Sequence, residues 1–137
     1  MNKIKYDSDI IKLMTLFESM TGAKVKDCIS NEKILFVIEE NEMGKAIGKN
    51  GANVKRLERM LNKRIKLVEF SSNLLQFIKN IAYPAEIGSI AQENDIVTMH
   101  GKDVSAKAML IGRNRQNINH LTDVVKRYFN VKEIKIL

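Results

Sequence analysis

The chain has 137 residues, of which 45% are hydrophobic and 28% charged, which is ordinary for one globular domain or two very small ones. No stretch approaches the roughly 18 apolar residues of a membrane span, no apolar signal-peptide core follows Met1, and a single cysteine, Cys28, leaves no internal disulfide. We therefore expect a cytoplasmic protein without a membrane partner, and the net charge of +7 favours a polyanion such as nucleic acid.

The first half of the chain alternates between helical and strand patterns. Apolar residues at helical spacing predict a helix from Tyr6 to Met20, with an N-cap among residues 7–9 and Gly22 as the C-cap. Alternating charged and apolar residues predict an exposed strand at 23–30. Further strands are predicted at 33–39 and 64–70, and between them two short helices flank a glycine loop.

The second half repeats this order of elements. A helix is predicted at 73–82, strands at 85–92 and 95–101, a helix capped by Asp103, and a closing strand at 131–137. Between the capped helix and a helix with Ile118, Leu121, Val125 and Tyr128 on one side lies a second glycine-containing loop. The two loops are 64 residues apart, so an internal duplication predicts two domains, residues 1–70 and 71–137.

Positive charge is concentrated in two blocks, and each begins at or beside one of these loops. Residues 45–66 carry eight Lys or Arg against Glu58 alone, and residues 113–137 carry six against two acidic residues. Solvated helix faces would explain one such block. Two blocks that both coincide with loops indicate a nucleic-acid partner.

The sequence Ala46-Ile47-Gly48-Lys49-Asn50-Gly51, set helix-loop-helix between strands, resembles the KH domain. The order with the helix first and a strand last is similar to the type II form. The resemblance implies an α+β fold of two tandem type II KH domains, each a three-stranded mixed sheet covered on one face by three helices. A tandem pair in so short a chain resembles the archaeal NusA-like transcription termination and antitermination factors. That family implies binding of single-stranded, nascent RNA and contact with RNA polymerase. Two copies of the domain in one chain remove one reason to dimerise, so we expect a monomer.

Glycine between two helices suits RNA binding because it lacks Cβ and lets a sugar-phosphate backbone approach the main chain closely. KH modules clamp about four nucleotides of backbone with this loop. The following helix directs its free N–H groups towards that backbone. Arg115 replaces the second glycine in the second copy, where its Cβ would obstruct the approach while two guanidinium groups suit phosphate. The candidate RNA-binding residues are Lys45, Ile47, Gly48, Lys49, Asn50, Gly51, Lys55, Arg56, Gly112, Arg113, Asn114 and Arg115.

Several alternatives stay open for these residues. The glycines of the first loop could serve only a tight turn, and Ile47 and Val54 are as well explained as core residues as by a floor for bases. The arginines of the second loop could be merely solvated.

Nothing in the sequence predicts an enzyme. No nucleotide-binding glycine motif is present, and Cys28, His100 and His120 lack metal-ligand spacing, so neither a metal nor a cofactor is expected. Two other functions compete with a transcription factor. One is a ribosome-associated or RNA-processing KH protein. The other is a protein-interaction scaffold that has kept the fold without binding RNA.

Overall fold

The computed structural model describes residues 7–137, so Tyr6, the predicted start of the first helix, lies outside the described residues. The chain divides into two compact units with the boundary between Ser71 and Ser72. No helix within residues 7–137 is long and apolar enough to cross a membrane. In the same part of the chain, no group of three or more His, Cys, Asp or Glu side chains is arranged to hold a metal ion.

The first unit has the element order α-β-β-α-α-β within its described residues. Its sheet has the order β1-β2-β3, in which β1 and β2 are antiparallel and β2 and β3 are parallel. The elements are α1 (Ser8–Thr21), β1 (Val25–Ser30), β2 (Ile34–Ile38), α2 (Met43–Ile47), α3 (Ala52–Leu61) and β3 (Ile65–Glu69). This is the predicted order, with bounds that differ by a few residues.

Helix α1 begins and ends where the cap residues predict. The Asp7 carboxylate accepts a hydrogen bond from the backbone N–H of Ile10 at 2.9 Å, which satisfies one of the free donors of the first turn. Gly22 ends the helix with a φ of 74°, and its N–H donates to the carbonyl of Glu18. The apolar face between these caps then packs on the sheet through Phe17, whose ring centroid lies 4.3 Å from that of Phe36.

The core of the first unit joins residues from its helices and its sheet. Ala46 of α2 and Leu57 of α3 pack in the same cluster as Ile34, Phe36 and Ile38 of β2. Both are fully buried, so α2 and α3 are fixed on either side of the loop that connects them.

Strand β1 is buried, and the prediction of an exposed strand is wrong. Asp27 and Cys28 are 0% and 2% exposed. The strand pairs along its length with β2, which is buried throughout, so a charged side chain in the pattern did not mean contact with solvent. The side chain of Asp27 accepts a hydrogen bond from the backbone N–H of Cys28 at 2.8 Å, which compensates part of the cost of burying a polar group.

The second unit repeats the order of the first. Its sheet has the order β4-β5-β6, with β4 and β5 antiparallel and β5 and β6 parallel. The elements are α4 (Leu74–Ala82), β4 (Ile87–Glu93), β5 (Ile96–Gly101), α5 (Val104–Ile111), α6 (Gln116–Lys126) and β6 (Glu133–Ile136). Side chains of Asn73 and Asp103 cap α4 and α5, the latter as predicted. Over residues 7–137 the chain is thus a mixed α+β protein with two three-stranded mixed sheets.

The second core is built from apolar residues that the helical spacing had placed on one face. Ile118, Leu121, Val125 and Tyr128 are all buried. Phe77 of α4 is fully buried beside Tyr128, and the two ring centroids are 5.7 Å apart in an edge-to-face arrangement. Leu110 of α5 and Ile118 of α6 are also buried, so the helices on both sides of the loop between α5 and α6 are anchored in this unit.

Candidate nucleic-acid interface

The first loop runs from the end of α2 to the start of α3 through three residues with positive φ. Gly48 has φ 76° and ψ 174°, a region that is essentially restricted to glycine. Asn50 (φ 56°) and Gly51 (φ 73°) follow in the left-handed region, and the N–H of Gly51 donates to the carbonyl of Gly48 at 3.2 Å. The result is a tight turn from which α3 starts at once, with Ala52 as its first residue.

The side chain of Asn53 fixes this turn to the preceding helix. Its Nδ2 donates to the carbonyl oxygen of Lys45 at 3.0 Å. The same amide fills the space beside Gly48, where a Cβ would lie 2.7 Å from Nδ2 and 2.8 Å from Cγ of Asn53. Gly48 is therefore required by both its backbone conformation and its neighbour.

Gly51 differs from Gly48 because the space beside it is open. A Cβ on Gly51 would meet nothing closer than Cε of Lys55, at 4.0 Å. The fold itself does not occupy this space, which leaves it accessible to a ligand from outside.

The second loop has the same conformation as the first, even at the position where glycine is replaced. Gly112 has φ 74° and ψ 169°, Asn114 has φ 55°, and Arg115 has φ 62° and ψ 21°. The N–H of Arg115 donates to the carbonyl of Gly112 at 3.2 Å, which matches the corresponding bond of the first loop. A left-handed residue with a Cβ is disfavoured by about 1–2 kcal/mol, so the surrounding structure holds Arg115 in place.

Neither helix that follows a loop has a side-chain cap. The N-cap of α3 is Gly51 and that of α6 is Arg115, and no side-chain hydrogen bond is made at either position. The first N–H groups of a helix have no partner within the helix and carry its positive dipole end. Each loop therefore presents a helix start that attracts an anion, flanked by cationic side chains.

The cations of the first block are mainly exposed. Lys49, Lys55 and Arg56 are exposed, and Lys45 is exposed but forms an ion pair with Glu42 at 3.4 Å. A hydrogen bond from the backbone N–H of Lys24 is the main reason that the pKa of Glu42 lies below its usual value, and Lys45 lowers it further. Lys45 is thus partly neutralised, whereas Lys49, Lys55 and Arg56 form no ion pair with any residue in the range 7–137.

Ile47 and Val54 separate in the structure. Ile47 is 39% exposed, and its neighbour Ala46 is the residue of α2 that enters the core. Val54 is half-buried on the side of α3 that also carries the fully buried Leu57. An exposed Ile47 beside the loop suits contact with a base.

The helix after each loop differs strongly in charge between the two copies. Positions 55, 56 and 59 of α3 carry Lys, Arg and Arg, whereas the corresponding positions of α6 carry Asn119, His120 and Asp123. The positive charge near the second loop comes from Arg113 and Arg115, which are both exposed. The predicted residues of each copy therefore lie together around their loop, but only the first copy extends its basic surface along the helix.

Asn53 and Asn117 are the residues that the sequence reasoning missed. The Nδ2 of Asn117 donates to the carbonyl oxygen of Met109 at 2.7 Å, as Asn53 does to Lys45. The signal that could have found them is the repeated spacing Gly-(Lys/Arg)-Asn-x-x-Asn, which begins at Gly48 in one copy and at Gly112 in the other.

Comparisons with known proteins agree with this architecture. A family model described as the KH domain matches residues 13–72. The chain is 40% identical to a protein of Methanococcus vannielii named "Probable transcription termination protein NusA", over 98% of this chain and 80% of that protein. A protein of the same name from Thermoplasma acidophilum is 32% identical, over 99% of this chain and 97% of the relative. The crystal structure of APE1850 superimposes with a TM-score of 0.77 at 27% identity, over 96% of this chain and all of that one.

Proposed function

Because this chain belongs to the archaeal family of proteins named transcription termination protein NusA, we propose that it is an RNA-binding protein that acts in transcription elongation or termination. The KH-domain match supports the RNA-binding part of the proposal, since KH modules bind single-stranded RNA. The match to a family of RNA-binding modules supports a binding role, and we assign the chain no catalytic residue.

We further propose that residues 1–70 and 71–137 are two type II KH domains, with three helices on one face of each sheet. In support, both units have the order α-β-β-α-α-β with one antiparallel and one parallel strand pair. The KH-domain match begins within α1 and ends just after β3, so it spans one such unit from helix to last strand.

In the first copy, the phosphate backbone would lie against Gly48-Lys49-Asn50-Gly51. The observation that carries this assignment is the unoccupied space beside Gly51 at the uncapped start of α3. A phosphate there would accept hydrogen bonds from the free N–H groups of α3 and would lie at the positive end of the helix dipole. Lys49 would add a mobile cation. Lys55 and Arg56 extend the positive surface along α3, and Ile47 offers an apolar contact for a base.

In the second copy, the backbone of the loop is intact but its open space is used differently. Arg115 projects a guanidinium group from the position that corresponds to Gly51, and Arg113 lies two residues before it. Guanidinium binds phosphate through two parallel N–H donors. The second loop, Gly112-Arg113-Asn114-Arg115, would thus form a second phosphate contact, chiefly through its two arginine side chains.

The decisive experiment reverses the charge of the first loop without changing its shape. The double variant Lys49→Asp, Asn50→Asp should lose binding to a short single-stranded RNA in a gel-shift titration, because three units of negative charge are added where phosphate would lie. Asp tolerates the left-handed conformation of position 50 nearly as well as Asn, so the circular-dichroism spectrum should not change.

A matched control makes the same chemical changes in the turn before β2. Asn31→Asp, Lys33→Asp alters exposed residues at the opposite end of α3, about 15 Å away by the rise of a ten-residue helix. This control should keep most of the RNA affinity. Equal affinity of the loop variant and the unaltered protein would refute the loop assignment.

Salt dependence separates RNA binding from a protein-interaction scaffold. Release of counterions makes affinity fall steeply with salt when lysines and arginines contact phosphate, with a logarithmic slope of about −0.7 per contact for single strands. Affinity that is weak and unaffected between two salt concentrations would favour the scaffold.

Contact with RNA polymerase, a monomeric state and a cytoplasmic location stay predictions from the sequence and the family. A pull-down that recovers polymerase would support the first, whereas recovery of ribosomal subunits alone would favour a ribosome-associated or RNA-processing role. Light scattering decides the oligomeric state.

A further inference from the structure

We propose that Asn53 and Asn117 are positioning residues that tie each loop to the helix before it and so hold the loop ready for the RNA backbone. This inference rests on the proposed function for its binding consequence. The tie itself is a property of the RNA-free protein and can be measured without RNA.

In the first copy, Asn53 completes the hydrogen bonding at the end of α2. The last backbone bond of that helix runs from the N–H of Gly48 to the carbonyl of Gly44 at 3.1 Å. The next carbonyl along the chain, that of Lys45, is among the terminal carbonyls that a helix cannot satisfy by itself. Asn53, the second residue of α3, supplies its donor from across the loop.

The second copy makes the same arrangement with different neighbours. The N–H of Gly112 donates to the carbonyl of Ala108 at 2.9 Å, and the next carbonyl, that of Met109, accepts from Nδ2 of Asn117. Asn117 is again the second residue of its helix. Since the residues that bear the accepting carbonyls differ, Lys45 and Met109, the shared feature is the asparagine and its spacing of eight residues.

Each asparagine is also locked against the first glycine of its loop. A Cβ on Gly112 would lie 2.6 Å from Cγ and 2.7 Å from Nδ2 of Asn117, much as at Gly48. The amide therefore fits only where a glycine precedes it by five residues. Gly-x-x-x-x-Asn is thus one structural unit, in which the glycine makes room for the side chain that ties the loop.

This unit explains how the second loop keeps its shape after losing its second glycine. Two consecutive residues with side chains, Asn114 and Arg115, have positive φ. An isolated loop would leave that conformation readily, because the left-handed region is disfavoured for Arg115, which lacks the short polar side chain that lets Asn114 adopt it. The bond from Asn117 closes the loop on α5 and keeps this conformation populated. Binding to a loop that is already ordered avoids the loss of conformational entropy on association.

The test replaces each asparagine by alanine in the full chain and compares loop order with RNA affinity. Asn53→Ala and Asn117→Ala should lower the backbone NMR order parameters of their own loop from the rigid range near 0.85 towards 0.6. Affinity for a short single-stranded RNA should fall about three- to tenfold, which corresponds to one net hydrogen bond. Asn117→Asp keeps the side-chain shape but removes the donor, and should loosen the loop equally.

The matched control is Gln116→Ala. Gln116 is the exposed neighbour of Asn117 and corresponds to Ala52 in the first copy, so alanine is already the residue at that place in the other loop. This control should keep both the order parameters of the second loop and the affinity for RNA. Unaltered order parameters in the asparagine variants would refute the proposal that these asparagines order the loops. A more mobile loop with unaltered RNA affinity would refute the proposal that loop order contributes to binding. Failure of the unaltered protein to bind RNA would instead overturn the proposed function, and the order parameters would still decide the tie.

Discussion

The two glycines of the first loop are predicted to respond very differently to alanine. Gly48 lies at φ 76° and ψ 174°, where a residue with a Cβ is strained by about 1–3 kcal/mol. The added Cβ would also displace the Asn53 amide, which lies 2.7 Å away, and break its bond to Lys45, a further loss of about 1 kcal/mol. Alanine also restricts the unfolded chain, which recovers about 0.4–1 kcal/mol, so we expect Gly48→Ala to lower the free energy of unfolding of the first unit by about 2–3 kcal/mol.

Gly51→Ala is the control for the same chemical change in the same loop. Its left-handed backbone is disfavoured for alanine by about 1 kcal/mol, but alanine also restricts the unfolded chain, which recovers about 0.4–1 kcal/mol. No protein atom lies closer than 4.0 Å to the new Cβ. Gly51→Ala should therefore change the free energy of unfolding by less than about 1 kcal/mol, and the two variants should differ in this free energy by about 2 kcal/mol.

Urea denaturation followed by circular dichroism measures this difference. If the free energy of unfolding falls by about 2 kcal/mol per molar urea, the urea midpoint of Gly48→Ala should lie about 1 M below that of Gly51→Ala. In an Asn53→Ala background the loss caused by Gly48→Ala should shrink by about 1 kcal/mol, because the bond it breaks is already absent. Equal midpoints for the two single variants would refute the argument, and strict additivity would refute the part assigned to Asn53.

Two further predictions concern the second loop and an acidic residue beside the first. Arg115→Gly should raise the free energy of unfolding by up to about 1 kcal/mol, because glycine relieves the left-handed strain, and urea denaturation measures this change. The same variant should bind RNA more weakly in a gel shift, because it lacks the guanidinium group. The folded-state pKa of Glu42 is lowered, mainly by the N–H of Lys24, so its stabilisation is present above the usual pKa of 4.5 and lost as pH falls through the lowered value. Glu42→Gln should therefore reduce the melting temperature at pH 7, and the reduction should shrink progressively as the pH is lowered below 4.5.

Much of the fold could be predicted from local signals in the sequence. Asp7, Gly22 and Asp103 occupy the caps that their chemistry favours, and apolar spacing correctly placed Phe17 and Leu121 in the cores. These signals work because a cap or an amphipathic face depends on residues within a turn or two of one another.

The burial of β1 could not be predicted in this way. Asp27 reads as a solvent-facing residue in an alternating pattern, yet it is fully buried. Alternation along one strand shows that its two faces differ, but it does not show that both are covered. That information comes from the pairing of β1 with the buried β2, for example of Cys28 with Phe36, which the pattern of β1 alone does not contain.

The loops show the same limit at the level of a single side chain. Glycine at two positions was expected to serve close approach of RNA, but the structure divides those roles: Gly48 accommodates Asn53, and Gly51 leaves the open space. Loss of glycine at position 115 therefore changes what the loop presents to a ligand without changing its backbone. The conformation depends on Gly112 and Asn117, which both copies keep at equivalent positions. A search for the second glycine alone would reject the second loop, whereas a search for Gly and Asn five residues apart recovers both loops.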